Sequence, residues 1–339
     1  MSTKLNFGLI GAGRIGRVHA ESLTRRLSNV HLRAVTDLFP AAAQTCANDF
    51  QIPHVYADQR ALLDDPQIDA VLICSATETH TQFIIEAAQA GKHIFCEKPI
   101  ALDLAKIDAA LAAVHKAGVK LQIGFNRRFD ANFRHLHETV KAGGIGDVHL
   151  LQITSRDPAP PPISYVKGSG GIFLDMTIHD FDMARYLVGD EVEEVYATGG
   201  VRIDPAIGEA GDIDTAVITL RFKGGAIGVI NNSRQAVYGY DQRAEVFGSK
   251  GAIEAGNNLP HNTRHSTAQS VDSPKPLHFF LERYMDSYAN EMRGFVEAIE
   301  KDIAPPVSGM DGRIPVVMGL AAGKSYRENR PVRLSEVES

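Results

Sequence analysis

Three glycines near the N-terminus are spaced in a way that can bind a pyrophosphate. Residues 11–16 read Gly-Ala-Gly-Arg-Ile-Gly and directly follow the largely apolar residues 7–10. A glycine turn between a strand and a helix presents free backbone N–H groups to a phosphate, and the helix dipole favours negative charge there. In this pattern Gly11 makes the tight turn, Gly13 admits the pyrophosphate and Gly16 lets the helix pack on the strand. The spacing predicts a dinucleotide site on the turn formed by Gly11, Ala12, Gly13, Arg14 and Ile15.

Asp37 completes this pattern and indicates which dinucleotide is bound. It stands at the end of a second apolar run, roughly 20 residues beyond Gly16. A carboxylate at this place accepts hydrogen bonds from the ribose hydroxyls and repels a 2′-phosphate. We therefore expect NAD rather than NADP as the cofactor. Arg14 lies close enough to an adenosine phosphate to leave some use of NADP open.

A histidine flanked by carboxylates lies in the middle of the chain. On a helix, Asp175 and His179 stand at positions i and i+4 and share a face, and Asp182 lies near it. A histidine in this setting can accept a proton from a substrate hydroxyl near neutral pH. Two other interpretations remain open from the residues alone. The three side chains could bind a metal ion, or the segment could be a surface helix with Asp175 as its cap.

Two loops of the first half also carry reactive side chains. Residues 74–80 (Cys-Ser-Ala-Thr-Glu-Thr-His) and 96–99 (Cys-Glu-Lys-Pro) each follow an apolar run. Parallel sheets bind ligands at the carboxyl ends of their strands, so both loops are expected near the cofactor. One of the two threonines, Thr77 or Thr79, is expected to cap a helix. Further along, the proline-rich residues 156–162 indicate a stiff segment that forms a rigid loop or a wall of a binding cleft.

An alternation of strand and helix signals over the first half of the chain predicts the frame that holds these loops. Such alternation requires a parallel sheet with crossover helices. We therefore predict an α/β protein whose N-terminal Rossmann dinucleotide-binding domain spans residues 1–124. Its predicted strands are residues 5–10, 31–36, 54–56, 70–74, 93–96 and 120–123, and its predicted helices are residues 15–27, 40–49, 79–90 and 102–116.

Strands dominate the remainder, which we predict to be a second domain over residues 125–339. Residues 215–222 alternate between apolar and polar side chains, as a half-buried strand does, and residues 223–225 form its hairpin turn. The expected architecture is α+β with a large open, mostly antiparallel sheet, and the polar residues 257–276 are expected to form a surface loop. The predicted strands are residues 148–154, 192–198, 215–222, 226–231, 244–247 and 252–254, and the predicted helices are residues 131–141, 282–301 and 311–327.

Composition and charge narrow the class of protein. The chain has 339 residues, a net charge of −6 and no long cluster of Lys and Arg, so double-stranded nucleic acid is not an expected partner. No apolar run reaches the ~20 residues that a membrane span needs, and no signal peptide precedes the first predicted strand. The three cysteines, Cys46, Cys74 and Cys96, form no Cys-x-x-Cys pair, so we expect buried free thiols and a reducing cytoplasm.

Two motifs taken together resemble one enzyme family. Glu97-Lys98-Pro99, combined with Asp175-x-x-x-His179-Asp180 in a sheet-rich second domain, resembles the glucose–fructose oxidoreductase/inositol dehydrogenase family. The resemblance covers nearly the whole chain. Segments that resemble the inositol-oxidising members are residues 124–130 (Gly-Phe-Asn-Arg-Arg-Phe-Asp), 155–158 (Ser-Arg-Asp-Pro), 174–182 and 238–241 (Tyr-Gly-Tyr-Asp).

The resemblance implies an NAD-dependent oxidoreductase that acts on a hydroxyl of a cyclic polyol. The leading reaction is oxidation of myo-inositol to 2-keto-myo-inositol (scyllo-inosose), with scyllo-inositol, chiro-inositol or an aldose as alternative substrates. His179 would take the hydroxyl proton, Asp175 would hydrogen-bond the substrate, and Lys98 would stabilise negative charge on the reacting oxygen. Lys98 as the base stays open, and a cis Lys98–Pro99 bond is expected. Hydride transfer of this kind needs no metal, so none is expected.

The resemblance also implies which other residues contact the ligands. Only one of the adjacent Arg127 and Arg128 can face the site, and Arg127 is the leading choice. Relatives use the face of the open sheet to form dimers and tetramers, and a homotetramer is expected here. The implied cofactor contacts are Ser75, Thr77, Glu97 and Lys98 beside the glycine turn and Asp37, and the implied polyol contacts are Asn126, Arg127, Asp157, Asp175, His179 and Tyr238.

Two other functions compete with this prediction. Some relatives bind the dinucleotide as sensors or transcriptional co-regulators without turning a substrate over, and these usually lose the lysine or the histidine. This chain keeps Lys98, Asp175 and His179 together, which favours an enzyme. A sugar reductase that uses NADPH is the nearest enzymatic alternative, and Asp37 argues against it.

Overall fold

The computed structural model describes residues 4–338, and the chain divides into two compact units. The first unit contains the residues up to Phe129 together with Met285–Ile314, and the second contains Asp130–Tyr284 together with the residues from Pro315 onward. The sequence predicts a single boundary after residue 124, with residues 125–339 in the second domain. The difference arises because Met292, Phe295 and Val296 pack into the hydrophobic core of the first unit.

The first unit contains a six-stranded sheet whose strands are all parallel, in the order β3-β2-β1-β4-β5-β6. This is the strand order of a Rossmann fold, so the predicted fold class is confirmed. The first helix ends in a π-helical turn, Ser22–Arg26, and helix α3 was not predicted. The elements are β1 (Leu5–Ile10), α1 (Arg14–Glu21), β2 (Val30–Thr36), α2 (Pro40–Phe50), β3 (His54–Val55), α3 (Gln59–Leu63), β4 (Ala70–Ile73), α4 (Thr77–Gln89), β5 (His93–Glu97), α5 (Leu104–Ala117), β6 (Leu121–Gly124) and a 3₁₀ turn (Asn126–Phe129).

The second unit contains an open seven-stranded sheet in the order β12-β11-β7-β10-β9-β8-β15. Strands β7 and β10 pair in parallel and all other neighbours are antiparallel, which confirms the predicted mixed, mostly antiparallel sheet. The remaining elements of the chain are α6 (Ala131–Lys141), β7 (Val148–Arg156), α7 (Ile163–Val166), α8 (Ile172–Asp175), α9 (Thr177–Val188), β8 (Val192–Gly200), α10 (Pro205–Glu209), β9 (Thr215–Phe222), β10 (Ile227–Ser233), β11 (Asp241–Gly248), β12 (Gly251–Ala255), β13 (His265–Ser266), β14 (Val271–Asp272), α11 (Phe280–Glu300), α12 (Gly309–Glu328), β15 (Val332–Arg333) and a 3₁₀ turn (Leu334–Glu336). Of these, α11 from Met285 onward and α12 up to Ile314 belong to the first unit.

The two faces of this second sheet differ in what covers them. Helix α9 packs on one face, where the Thr177 hydroxyl donates to the Asn232 side chain at 2.6 Å and the Asn232 amide donates to Asp180 at 2.8 Å. The opposite face exposes apolar side chains on three neighbouring strands, because Leu150 on β7 pairs in register with Ile227 on β10 and with Phe247 on β11. The prediction that one face of an open sheet is left for packing therefore agrees with this exposure.

A kink at Met176 corrects the predicted single helix across Asp175 and His179. Helix α8 ends at Asp175 and α9 begins at Thr177. The His179 N–H donates to the Met176 carbonyl, three residues back. The Thr177 hydroxyl shares its single proton between Asn232 and the Ile172 carbonyl oxygen, 3.2 Å away, and the second contact competes with the regular helix ladder. The two residues are thus neighbours across a break, and the uninterrupted helix was a wrong prediction.

Two further observations concern the predicted surface loop and the character of the helices. The predicted surface loop over residues 257–276 is exposed and contains the short hairpin of β13 and β14. Within residues 4–338, no helix combines the length and the apolar character that crossing a membrane requires.

Candidate active site

The glycine turn after β1 has the geometry that a dinucleotide requires. Gly11 has a φ of +100°, and a Cβ there would lie 2.6 Å from the Cys74 carbonyl carbon. A Cβ on Gly16 would lie 2.0 Å from the Gly11 oxygen, so this contact between helix and turn needs glycine. A Cβ on Gly13, in contrast, would meet nothing within 4 Å. The protein is therefore tightly packed below the turn and open above Gly13, where a pyrophosphate would approach.

Asp37 stands beside this turn and is already hydrogen-bonded to it. The Ala12 N–H donates to one carboxylate oxygen at 2.6 Å, and the Phe39 N–H donates to the other at 2.8 Å. Each oxygen keeps a further lone pair, so Asp37 can still accept from ribose hydroxyls. The sequence predicted the ribose contact of Asp37 and missed its hydrogen bonds to the backbone. Arg14 is exposed and Ile15 is half-buried at the start of α1.

The residue at the N-terminal cap of α4 is not the one that was expected. The N-cap of α4 is Ala76, so neither Thr77 nor Thr79 caps the helix and that prediction was wrong. The Thr79 hydroxyl instead bonds the Ser75 hydroxyl at 2.7 Å and the Ala76 carbonyl at 2.7 Å. Thr77 is the first helical residue and is half-buried.

His80 links the two loops that were expected near the cofactor, a role that sequence reasoning missed. Its Nδ1 lies 2.8 Å from the Pro99 carbonyl oxygen and its Nε2 lies 3.1 Å from the Ser75 carbonyl oxygen. Burial lowers the pKa of His80, while the two carbonyls act in the opposite direction. A histidine inside a helix carries no sequence signal for such a bridge, because both partners are backbone atoms.

Lys98 follows the last residue of β5 and is half-buried, and its bond to Pro99 is cis, as expected. The preceding Glu97 is buried and accepts a hydrogen bond from His19 Nε2 at 2.6 Å. Gly124 lies against the Glu97 carboxyl group, since a Cβ there would be 2.9 Å from it. Glu97 is thus held from below by α1 and from the side by β6, which fixes the backbone from which Lys98 projects.

The side chains placed closely enough to bind a metal ion together are not the ones that the sequence suggested. Within residues 4–338, the histidine–carboxylate group whose ligand atoms all lie within 4.8 Å of one another is His19, Glu97 and Glu291. Asp175, His179 and Asp182 form no such group there, so the metal alternative for them has no geometric support. In the group of His19, Glu97 and Glu291, His19 Nε2 is already hydrogen-bonded to Glu97.

The 3₁₀ turn after β6 holds two of the expected polyol contacts. Asn126 is 3% exposed, and its side-chain amide finds no acceptor among the residues that the structure describes. A buried orphan donor is costly, so a ligand oxygen is a suitable partner for it. Arg128 donates to Asp311 at 3.0 Å, and Arg127 is buried.

In the second unit, Asp175 and His179 lie on either side of the Met176 kink, and both are half-buried. The Tyr165 hydroxyl donates to Asp175 Oδ1 at 2.8 Å, and Arg234 donates to Asp175 Oδ2 at 3.1 Å. Burial raises the pKa of Tyr165, and the neighbouring Asp175 charge adds to this. Asp175 is therefore a held carboxylate and not the helix cap of the competing interpretation.

A buried polar row lies below His179 on the covered face of the sheet. Ser155 donates to the Gln242 side-chain oxygen at 3.0 Å, and the Asn232 amide donates to the Ser155 carbonyl at 3.3 Å. Asp180 and Asp182 are fully buried. The row was not predicted, because its members come from three strands and one helix that are distant in sequence.

Asp157 and Tyr238 lie beyond the ends of β7 and β10. The Asp157 N–H donates to the Ser233 carbonyl at 3.0 Å, which orders the start of the proline-rich segment. Tyr238 donates to Asp241 at 2.6 Å and accepts from Arg156 at 3.0 Å. Burial would raise the pKa of Asp241, but hydrogen bonds from Arg243, Tyr238 and Asn257 hold that pKa below its ordinary value. The Tyr238 hydroxyl thus has protein partners on both sides before any substrate binds.

Two family models match separate parts of the chain. Residues 5–125 match a family model described as an oxidoreductase family with an NAD-binding Rossmann fold. Residues 133–254 match the GFO/IDH/MocA C-terminal domain.

The chain is similar to inositol dehydrogenases over its whole length. It is 51% identical to the myo-inositol 2-dehydrogenase of Thermotoga maritima, over 98% of this chain and 99% of that protein. It is 47% identical to the inositol 2-dehydrogenase of Rhizobium meliloti, again over 98% and 99%. A crystal structure of a probable dehydrogenase from Thermotoga maritima has a TM-score of 0.97 at 52% identity, covering 98% of this chain and 100% of that one. A scyllo-inositol dehydrogenase from Lactobacillus casei, solved with NAD(H) and scyllo-inositol, has a TM-score of 0.92 at 30% identity, covering 98% and 99%.

Proposed function

This chain belongs to the GFO/IDH/MocA family of NAD-binding oxidoreductases, and we propose that it oxidises myo-inositol to 2-keto-myo-inositol. The proposal rests on a combination of site residues in this chain with the identity of its relatives. A Rossmann glycine turn with Asp37 and a lysine after β5 occur in the same chain as the Asp175/His179 pair, and full-length relatives at about half identity are inositol dehydrogenases.

The proposed reaction removes one hydride and one proton from a secondary alcohol. NAD, when bound, accepts the hydride from the carbon that carries the hydroxyl. His179 takes the hydroxyl proton, so the C–H electron pair leaves as the carbon–oxygen double bond forms. Lys98 donates a hydrogen bond to the reacting oxygen and stabilises the negative charge that develops there. Lys98 as the proton acceptor is the alternative that mutagenesis has to separate.

The remaining polyol hydroxyls need matched donors and acceptors. We assign Asp175, Asn126, Arg127, Asp157 and Tyr238 to them, with the buried amide of Asn126 as the best supported donor. A site that pairs each hydroxyl can discriminate strongly between stereoisomers, because a wrong isomer leaves buried polar groups unpaired. On the cofactor side, Ser75, Thr77 and Glu97 are assigned with Lys98 to the nicotinamide end.

Other substrates within the same mechanism are the main alternative. The similarity to a scyllo-inositol dehydrogenase at 30% identity keeps that isomer open, together with chiro-inositol and aldoses. A protein that binds NAD without turnover is the alternative from another class. The retention of Lys98, Asp175 and His179 favours the enzyme.

We also propose that the enzyme is a cytoplasmic homotetramer. All three cysteines are free and buried, as suits a reducing compartment. The open sheet exposes Leu150, Ile227 and Phe247 as an adjacent apolar patch on three neighbouring strands, which a second copy of the chain would cover.

The test of the proposed reaction is reduction of the nicotinamide, followed by absorbance, with a panel of substrates. Purified protein is given NAD or NADP together with myo-, scyllo- or chiro-inositol or an aldose. We expect the highest kcat/KM with NAD and myo-inositol. Preference for another isomer would keep the mechanism and change the substrate. Tight NAD binding with no turnover of any member of the panel would refute the enzyme assignment and favour a sensor.

A further inference from the structure

Arg234 is a buried cation in the second unit that lies between two carboxylates. Its side chain is 1% exposed, its Nη1 lies 3.1 Å from Asp175 Oδ2, and its Nη2 lies 3.3 Å from Asp212 Oδ2. Its backbone N–H donates to the Asp214 carbonyl at 2.8 Å, so the main chain is fixed as well. A guanidinium without such partners would be expensive to bury, so at least one carboxylate is needed to keep it there.

Asp212 fixes one end of this arrangement. Its Oδ1 accepts a hydrogen bond from the Ile172 N–H at 2.9 Å, at the start of α8, while its Oδ2 faces Arg234. A Cβ on the neighbouring Gly171 would lie 2.9 Å from Asp212 Oδ1, so the carboxylate is closely surrounded. Asp212 therefore holds the guanidinium in place independently of Asp175.

Asp175 depends on this arrangement because the helix alone does not orient it. It is the last residue of α8, next to the kink at Met176. Each of its oxygens has a protein donor, Tyr165 on Oδ1 and Arg234 on Oδ2. Donors on both oxygens fix the plane of the carboxylate group.

We propose that Arg234, anchored by Asp212, is a positioning residue that holds Asp175 in a fixed orientation as the acceptor for one substrate hydroxyl. The proposal rests on the proposed function, in which Asp175 contacts the polyol. Arg234 itself touches no substrate and acts through Asp175. Two carboxylates share one guanidinium, so the cluster retains negative charge that a substrate O–H donor can approach.

The test is a double-mutant cycle between Arg234→Lys and Asp175→Asn. Lysine keeps the charge but cannot bridge two carboxylates with a planar fork. Arg234→Lys is expected to lower kcat/KM for myo-inositol by about ten- to a hundredfold, the range expected for losing one charge-assisted hydrogen bond. The dissociation constant of NADH, measured by its fluorescence, should stay within about twofold. In the Asp175→Asn background the same substitution should change kcat/KM by less than about threefold, because its target is gone.

A matched control separates positioning from general damage. Arg185→Lys alters another partly buried arginine–carboxylate pair of the same unit, with Glu191, and should leave kcat/KM near the wild-type value. If Arg234→Lys lowers kcat/KM by the same factor with and without Asp175, Arg234 does not act through Asp175 and the proposal is overturned. If Asp175→Asn has no measurable turnover, the cycle is read from the inositol dissociation constant in the presence of NADH.

Two further experiments keep the test decisive. If Arg234→Lys does not fold, Asp212→Asn and Tyr165→Phe replace it in the same cycle, with the same criterion of non-additivity. If the wild-type protein oxidises no member of the substrate panel, it is the proposed function that fails. Arg234 is then tested by a crystal structure of Arg234→Lys, in which an Asp175 carboxylate turned away from Tyr165 supports positioning and an unmoved one overturns it.

Discussion

Asp37 illustrates how one side chain can serve both the fold and the choice of cofactor. Its position after β2 predicts recognition of a ribose, and its bond to the Ala12 N–H adds a role in ordering the glycine turn. A substitution that removes the whole side chain would therefore disturb both functions. Asparagine keeps an acceptor oxygen for the Ala12 N–H, loses the acceptor of the Phe39 N–H and removes the charge that repels a 2′-phosphate.

We predict that Asp37→Asn shifts the cofactor preference towards NADP without unfolding the turn. The ratio of kcat/KM for NAD to that for NADP should fall at least about tenfold, which corresponds to the loss of ~1.4 kcal/mol of discrimination. Steady-state kinetics with both cofactors measures the ratio, and the melting temperature serves as the control. An unchanged ratio would mean that Asp37 does not select the cofactor.

Sequence patterns predicted individual residues unevenly. Gly11, Gly16 and Asp37 were found because a tight turn and a ribose contact restrict residue type at fixed spacing. Arg234, Tyr165 and His80 were missed, because each bonds a partner that is near only in the folded chain, or bonds a backbone carbonyl that has no sequence signature. Thr77 and Thr79 were misassigned as caps because Ala76 takes that place.

At the scale of elements, the parallel strands were the most predictable part of the fold. Strand β1 was predicted with its observed bounds, since it is a short apolar run between polar residues and a glycine turn. The kink between α8 and α9 was not predicted, because the apolar spacing continues through Met176 while tertiary bonds join Asp175 to Arg234 and Thr177 to Asn232 at the break. The spacing of apolar residues indicates which face of a helix is buried, but it does not indicate whether the helix is continuous.

The packing of α1 on the glycine turn gives a prediction at this scale that uses two glycines as mutual controls. Gly16→Ala places a Cβ 2.0 Å from the Gly11 oxygen, so the helix must move, and both stability and NADH affinity should fall. Gly13→Ala places a Cβ in open space, so the melting temperature should stay within ~2 °C while NADH affinity falls. Thermal unfolding and NADH fluorescence measure both variants. Equal NADH affinity in Gly13→Ala and the wild type would argue against a pyrophosphate at this turn.

At the scale of the whole molecule, the two units differ from the domains predicted by sequence, because a late segment of the chain belongs to the first unit again. Residues 285–314 follow the sheet of the second unit in sequence but pack with the first unit, where Gln122 donates to the Glu291 carbonyl at 3.0 Å. A composition shift marks the first crossing near residue 125 and gives no signal for the return. The open sheet of the second unit, in contrast, followed directly from the alternating strands.

The uncovered face of that sheet leads to a prediction about assembly. The wild-type protein should run as a homotetramer of 36.8 kDa chains in light scattering after size exclusion. Ile227→Lys places a charge in the apolar patch and should yield smaller species, because an unpaired charge buried in an interface is costly. Val271→Lys, on the exposed hairpin of β14, is the matched control and should leave the mass unchanged. A monomeric wild type at micromolar concentration would contradict the assembly.

The most direct test of the central claim compares His179→Ala and Lys98→Met with the wild-type enzyme in NAD reduction by myo-inositol. If His179 takes the proton and Lys98 stabilises the reacting oxygen, each variant should lower kcat by about a hundred- to ten-thousandfold. The dissociation constant of NADH should remain within about threefold of the wild-type value in both, so that the loss is assigned to chemistry and not to cofactor binding. A His179→Ala enzyme that keeps near wild-type kcat would contradict the account and identify a different proton acceptor.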